Sequence, residues 1–122
     1  MAQKNPISQA ALVLLVDDDE AIVDITSQIL EALGYAVLAA RNGPEAVKIL
    51  RKNPRISVLF TDIQMPGMGG EELAEIALSL RPEIRVVFTS GVHRPRGDAA
   101  FVPKPYRAVD LIRVLPPQPL PN

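Results

Sequence analysis

Carboxylates, a hydroxyl and an ammonium stand directly after four apolar runs of the sequence. Asp17-Asp18-Asp19 follows Leu12-Val13-Leu14-Leu15-Val16, and Asp62 follows Ser57-Val58-Leu59-Phe60-Thr61. Thr89-Ser90 closes the run that starts at Arg85, and Lys104 lies just past Ala99-Ala100-Phe101-Val102. Carboxylates held close together repel one another and resist ionising together. A divalent cation removes the conflict, and hard oxygen donors with few protein contacts suit Mg²⁺. The chain has no Cys, and its one histidine, His93, has no partner at ligand spacing, so nothing points to zinc or copper. An ionised carboxylate beside such a cation can attack phosphorus and become an aspartyl phosphate. Asp62 suits that role, because the loop after it (Ile63-Gln64-Met65-Pro66-Gly67-Met68-Gly69-Gly70) turns sharply and exposes backbone carbonyls beside the carboxylate. The cation and Lys104 would stabilise charge on the transferring oxygens, and the Ser90 hydroxyl could bond to them afterwards.

These side chains work together only if the fold brings the ends of the runs to one place. The chain has 122 residues, 48% hydrophobic and 22% charged, with a net charge of −1; that suits one domain with its own core and excludes a disordered chain. The near-zero charge gives no field for unspecific nucleic-acid binding. The longest apolar run, residues 10–16, is too short to span a bilayer and is followed by acids rather than a cleavage site, so we expect a soluble, cytoplasmic protein with no membrane insertion. Between the runs lie segments of helical period. One carries Ile22, Ile25, Ile29 and Leu33 before Gly34, and another opens at Asn42-Gly43-Pro44 with Ala46, Val47 and Leu50 on its apolar face. A third carries Leu73, Ile76, Ala77 and Leu80, and the last carries Ala108, Leu111, Ile112 and Leu115 before Pro116. Tyr35–Ala39 adds a further strand. Strands alternating with helices predict a doubly wound, five-stranded parallel sheet of the α/β class, with ligands beyond the carboxyl ends of the strands. One crossover departs from the pattern. Residues 91–98 are too few for a helical connection, which normally takes about 10–12 residues, so a short irregular loop is expected there. Residues 1–10 read as a flexible leader, 11–115 as the domain and 116–122 as a Pro-rich tail.

With Leu15-Val16-Asp17-Asp18-Asp19, Thr61-Asp62 and the loop to Gly70, Thr89-Ser90-Gly91 and Phe101-Val102-Pro103-Lys104-Pro105 in this order, the sequence resembles the receiver domains of two-component response regulators. The 44 residues from Asp18 to Asp62 make the set specific, and the likeness covers about 11–115. The resemblance implies a flavodoxin-like fold and these roles: Asp62 as phosphoacceptor, Asp17 and Asp18 as the acidic pair holding Mg²⁺, and the Gln64 carbonyl as a further ligand. It also implies Ser90 as the switch hydroxyl, with Thr89 the less suited occupant, Lys104 as the phosphate-contacting lysine and Phe101 as the aromatic that responds to phosphorylation. A sensor histidine kinase or histidine phosphotransferase would be the partner, Mg²⁺ the cofactor, and the protein a signalling domain rather than an enzyme. Two departures stand out: the family's fourth helix is missing, as in a subgroup with Gly after the switch hydroxyl, and Phe101 occupies a position where Tyr is common.

Other readings compete. Asp19 and Glu20 suit the N-terminus of a helix, where the dipole favours acids. A Mg²⁺-dependent phosphohydrolase would use Asp17 as nucleophile and Asp19 as acid. A phosphorylation-independent interaction module would use sheet left bare by the missing helix. No DNA-binding helix-turn-helix is evident, so a stand-alone receiver or the receiver of a hybrid kinase are the expected settings. Dimerisation on phosphorylation is an open expectation that light scattering would decide.

Overall fold

The computed structural model describes residues 11–117 apart from 93 and 96. The expected leader, the last residues of the tail, His93 and Arg96 therefore lie outside the described residues. The elements follow the order β1 Leu12–Val16, α1 Glu20–Ala32, β2 Ala36–Ala40, α2 Gly43–Lys52, β3 Ile56–Asp62, α3 Gly70–Leu80, β4 Arg85–Ser90, β5 Ala100–Pro103 and α4 Ala108–Val114. The strands form one parallel sheet in the order β2-β1-β3-β4-β5. This is the expected doubly wound α/β architecture. Its centre is β1 and β3, whose continuous apolar runs are buried because helices cover both faces. The edge strands β2 and β5 are only partly covered.

Alternation along each strand sends successive side chains to opposite faces. On one face Leu14, Val16, Leu59 and Phe88 pack with Ala46 and Leu50 of α2 and Leu73 and Ala77 of α3. On the other, Val13, Leu15, Phe60, Val87 and Val102 pack with Leu30 of α1 and Leu111 of α4. Each fully buried Leu contributes roughly 1.5–3 kcal/mol. Among the described residues of 91–99 there is no helix, only bends and a turn, so the β4–β5 crossover is irregular as its length required.

The helix faces need two corrections. The apolar stripe expected on α1 included Ile25, yet Ile25 is 58% exposed, and the buried positions are Thr26 and Leu30. Likewise Ile112 of α4 is exposed while Leu111 is buried. Apolar residues on these helices are spread over more than one stripe, and packing against the sheet, not periodicity, chooses which is covered. Asp19 caps α1 by accepting the N–H groups of Ala21 and Ile22, so its carboxylate serves the helix N-terminus. Asn42 does the same for α2, with Pro44 in the first turn. At Gly34 the chain leaves α1 with φ +98°, a conformation that favours glycine.

Gly70 is required by close approach. Its N–H donates to the Ile63 carbonyl at 2.8 Å, and a Cβ placed on it would lie 2.1 Å from the backbone oxygen of Asp62. Backbone cannot yield as a flexible side chain would. Gly70→Ala is therefore expected to cost about 3 kcal/mol, the upper end of ordinary overpacking, and to move the end of β3. Urea denaturation checks the first effect, and the amide shifts of Asp62 and Gln64 check the second.

Candidate functional site

The carboxyl ends of β1, β3, β4 and β5 meet at one edge of the sheet, and each delivers a polar group. Asp17 follows β1, Asp62 ends β3, Ser90 ends β4 and Lys104 follows β5. One carboxylate oxygen each from Asp17, Asp18 and Asp62 lies within 4.8 Å of the others. Asp17 and Asp62 are buried and Asp18 is exposed, so the cluster opens to solvent on the Asp18 side. Lys104 Nζ donates to Asp17 Oδ2 at 2.7 Å and to Asp62 Oδ2 at 3.3 Å.

Backbone donors fix the carboxylates from the other side. Asp17 Oδ1 accepts the Asp19 N–H at 2.9 Å, and Asp62 Oδ1 accepts the Gln64 N–H at 3.3 Å. The strand ends are tied as well: Ile63 N–H donates to the Thr89 carbonyl at 3.0 Å and Lys104 N–H to the Ser90 carbonyl at 2.9 Å. The Asp62 carboxyl is raised above the ordinary carboxylate value, first by burial; the Lys104 charge pulls it back and the Asp17 charge pushes it up again. For Lys104, burial works against the ammonium, but the hydrogen bond and charge of Asp17, with Asp62 behind it, outweigh burial and raise the value.

The structure brings Asp17, Asp18, Asp62 and Lys104 into one cluster, with Gln64 on the loop beside it. Ser90 is buried at the rim and its Oγ accepts the Val92 N–H at 3.1 Å. Thr89, one residue earlier, is buried too, and among the described residues its Oγ1 has no hydrogen-bond partner. Phe101 is half-buried against the α2–α3 side of the sheet, with the Arg94 guanidinium 4.9 Å from its ring centroid. Asp19 stands apart, occupied in capping α1.

Two residues at the site went unremarked in the sequence, Thr26 and Tyr106. The hydroxyls of Thr26, in α1, and Tyr106, before α4, are 2.7 Å apart, and the Tyr106 ring lies against Phe60 of β3 with centroids 5.6 Å apart. The available signal was a Thr at helical spacing from Ile22, Val23, Ile29 and Leu30, and an aromatic two residues past Lys104.

The cluster fits a divalent cation by its donor chemistry: three carboxylates with hard oxygens, two of them buried, sharing one ammonium between them. No helix among the described residues is long and apolar enough to cross a membrane.

Comparison with known proteins agrees with this fold. The family model described as the response regulator receiver domain matches residues 13–115. The response regulator receiver protein CpdR of Brucella abortus (strain 2308) is 35% identical over 109 residues, covering 82% of this chain and 89% of CpdR. Sensor kinase CckA of the same organism is 31% identical over 109 residues, which are 82% of this chain but 12% of the kinase. The crystal structure of a CheY-like response regulator receiver domain protein from Methanospirillum hungatei JF-1 superposes with a TM-score of 0.76 at 34% identity, covering 85% of this chain and 89% of that one.

Proposed function

The chain belongs to the response regulator receiver domain family, and from that premise we propose that Asp62 accepts a phosphoryl group from a partner's phosphohistidine and that Ser90 and Phe101 convert the modification into a change of shape. The observation that carries the reading is the cluster itself: Asp17, Asp18 and Asp62 within 4.8 Å, with Lys104 bridging Asp17 and Asp62.

In the proposed transfer an ionised oxygen of Asp62 attacks phosphorus, the acyl phosphate P–O bond forms, and the P–N bond to the donor imidazole breaks, its electron pair staying on the imidazole. Asp17, Asp18 and Asp62, with the Gln64 carbonyl, would hold Mg²⁺. That ion supplies charge neutralisation among the carboxylates and at the phosphoryl oxygens. Lys104 adds a second positive charge, turning from Asp62 toward the new phosphoryl oxygens while Asp17 keeps its position. The phosphoryl group replaces a carboxylate by a larger, more highly charged acceptor. Ser90 Oγ can then give up the Val92 N–H and donate to it, drawing in the start of the 91–98 loop. Phe101, on the adjoining strand and free of a hydroxyl tether, repacks with that loop.

A histidine kinase or histidine phosphotransferase is the proposed donor. Its surface has to reach a side chain that is nearly buried, and an apolar groove between α1 and the Lys104-Pro105 turn leads there, lined by Ile22, Ile25 and Ile29. Because Lys104 is part of both groove and acid cluster, a helix seated on these isoleucines would present its histidine to Asp62. The test uses two donors and intact-mass detection. Wild-type protein should gain one phosphoryl group from acetyl phosphate with Mg²⁺ and from a phosphorylated histidine phosphotransferase. Ile25→Glu should keep the first reaction and slow the second by about tenfold or more, since it places a charge in the apolar contact. Equal slowing of both reactions would remove the groove from the reading, and no uptake from either donor would remove the reading.

A further inference from the structure

We infer that Tyr106 is a positioning residue for Lys104, acting through its hydroxyl bond to Thr26; the inference rests on the phosphoacceptor reading above. Lys104 has a long stem with many rotamers, and its Nζ is useful only when directed between Asp17 and Asp62. Its backbone is fixed on one side by the bond from its N–H to the Ser90 carbonyl. On the other side the chain leaves the sheet through Pro105, and Tyr106 ties this turn back to the elements that carry the carboxylates. Its ring lies against Phe60, two residues before Asp62 on β3. Its hydroxyl bonds to Thr26 of α1, the helix that begins just after Asp17-Asp18-Asp19. A single bond between residues 80 apart in sequence therefore links the segment that carries Lys104 to the helix that follows the acidic run. Thr26 is 1% exposed, so without Tyr106 its hydroxyl would be buried with no such partner, a costly arrangement that a purely apolar contact would not need. Burial pushes the Tyr106 phenol up, which keeps it protonated and able to take part in the bond at neutral pH.

The test compares Tyr106→Phe, which keeps the ring, with Thr26→Val and Thr26→Ser, at saturating acetyl phosphate and Mg²⁺ and well below each variant's melting point. Tyr106→Phe and Thr26→Val should each lower the phosphorylation rate about tenfold, within the range that small misplacement of a catalytic group produces. The double variant should be no slower than either single one, and Thr26→Ser should restore the wild-type rate. Adding Tyr106→Phe to Lys104→Met should change nothing further, because the group being positioned is gone. A folded Tyr106→Phe with wild-type rate, or one that slows Lys104→Met by the same factor, would overturn the inference. A second readout needs no phosphorylation: the side-chain ammonium resonance of Lys104 should be sharp in wild type and Thr26→Ser and broadened in Tyr106→Phe and Thr26→Val. If wild type takes up no phosphoryl group, the functional reading fails while this resonance still decides the positioning; an unchanged resonance overturns it.

Discussion

Asp62→Asn is expected to take up no phosphoryl group from any donor and, in the absence of metal, to be more stable than the wild-type protein. The first effect follows from chemistry: an amide is no nucleophile toward phosphorus at neutral pH. The second follows from the environment. Burial raises the Asp62 carboxyl above its ordinary value, Asp17 adds to the rise, and Lys104 and the Gln64 N–H recover only part of it. A carboxyl whose folded-state pKa is raised binds its proton more tightly in the folded protein than in the unfolded chain. Ionised, it burdens the folded state at neutral pH, and that burden fades as pH falls through the folded-state pKa. Asn removes the charge and keeps an oxygen that can accept the Gln64 N–H, while Lys104 retains Asp17 at 2.7 Å. The stability difference should therefore be largest at neutral pH and vanish in acid. Magnesium should reverse the ranking: a hundredfold excess over its dissociation constant would stabilise wild type by about 2.7 kcal/mol, and Asp62→Asn by less. Thermal melts across pH with and without Mg²⁺, together with intact masses, check all parts. A phosphoryl adduct on Asp62→Asn would place the acceptor elsewhere.

The sheet was legible because its strands are continuous apolar runs closed by polar residues. A run such as Leu12–Val16 fits a strand covered on both faces, and the first residue after it must then lie at the sheet's edge. The carboxylate cluster followed from that rule, and the short β4–β5 crossover followed separately from the length of chain available to it. What the sequence left hidden depends on tertiary partners. In α1, Ile25 and Leu30 are equally apolar, and only contact with the sheet decides that Leu30 is inside and Ile25 outside. Thr26 carries a hydroxyl on the covered side of α1, and its burial makes sense only once Tyr106, far along the chain, supplies a partner. The Arg94 guanidinium over Phe101 joins residues much nearer in sequence, yet it too depends on the path of the irregular β4–β5 crossover. Local patterns report what a segment can bury, and long-range polar pairs need the fold to find each other.

Lys104→Met, which keeps the apolar stem and removes the charge, should destabilise the metal-free protein by about 2 kcal/mol and slow phosphorylation strongly. The Asp17 side chain is only 2% exposed and has its 2.7 Å ion pair with Lys104. Breaking a fully buried pair from one side costs about 3–5 kcal/mol because the remaining charge is stranded. Here the lysine side chain is 20% exposed and Asp17 keeps the Asp19 N–H, so solvent and backbone lower the cost. The pH dependence has a definite sign. Although burial opposes the ammonium, the Asp17 bond and charge and the Asp62 charge raise Lys104 above its ordinary value of 10.5. Its contribution to stability is thus fully present below that value and is lost as pH rises through the higher folded-state value. The deficit of Lys104→Met should be constant through neutral pH and shrink only in strong alkali. Magnesium should narrow it, because a divalent cation among Asp17, Asp18 and Asp62 meets the same need for positive charge. Phosphorylation should stay slow even then, since no ammonium faces the transferring oxygens. Urea denaturation with and without Mg²⁺ measures the first claim and acetyl phosphate kinetics the second. Unchanged metal-free stability would mean that Asp17 and Asp62 do not depend on Lys104 for their charge balance.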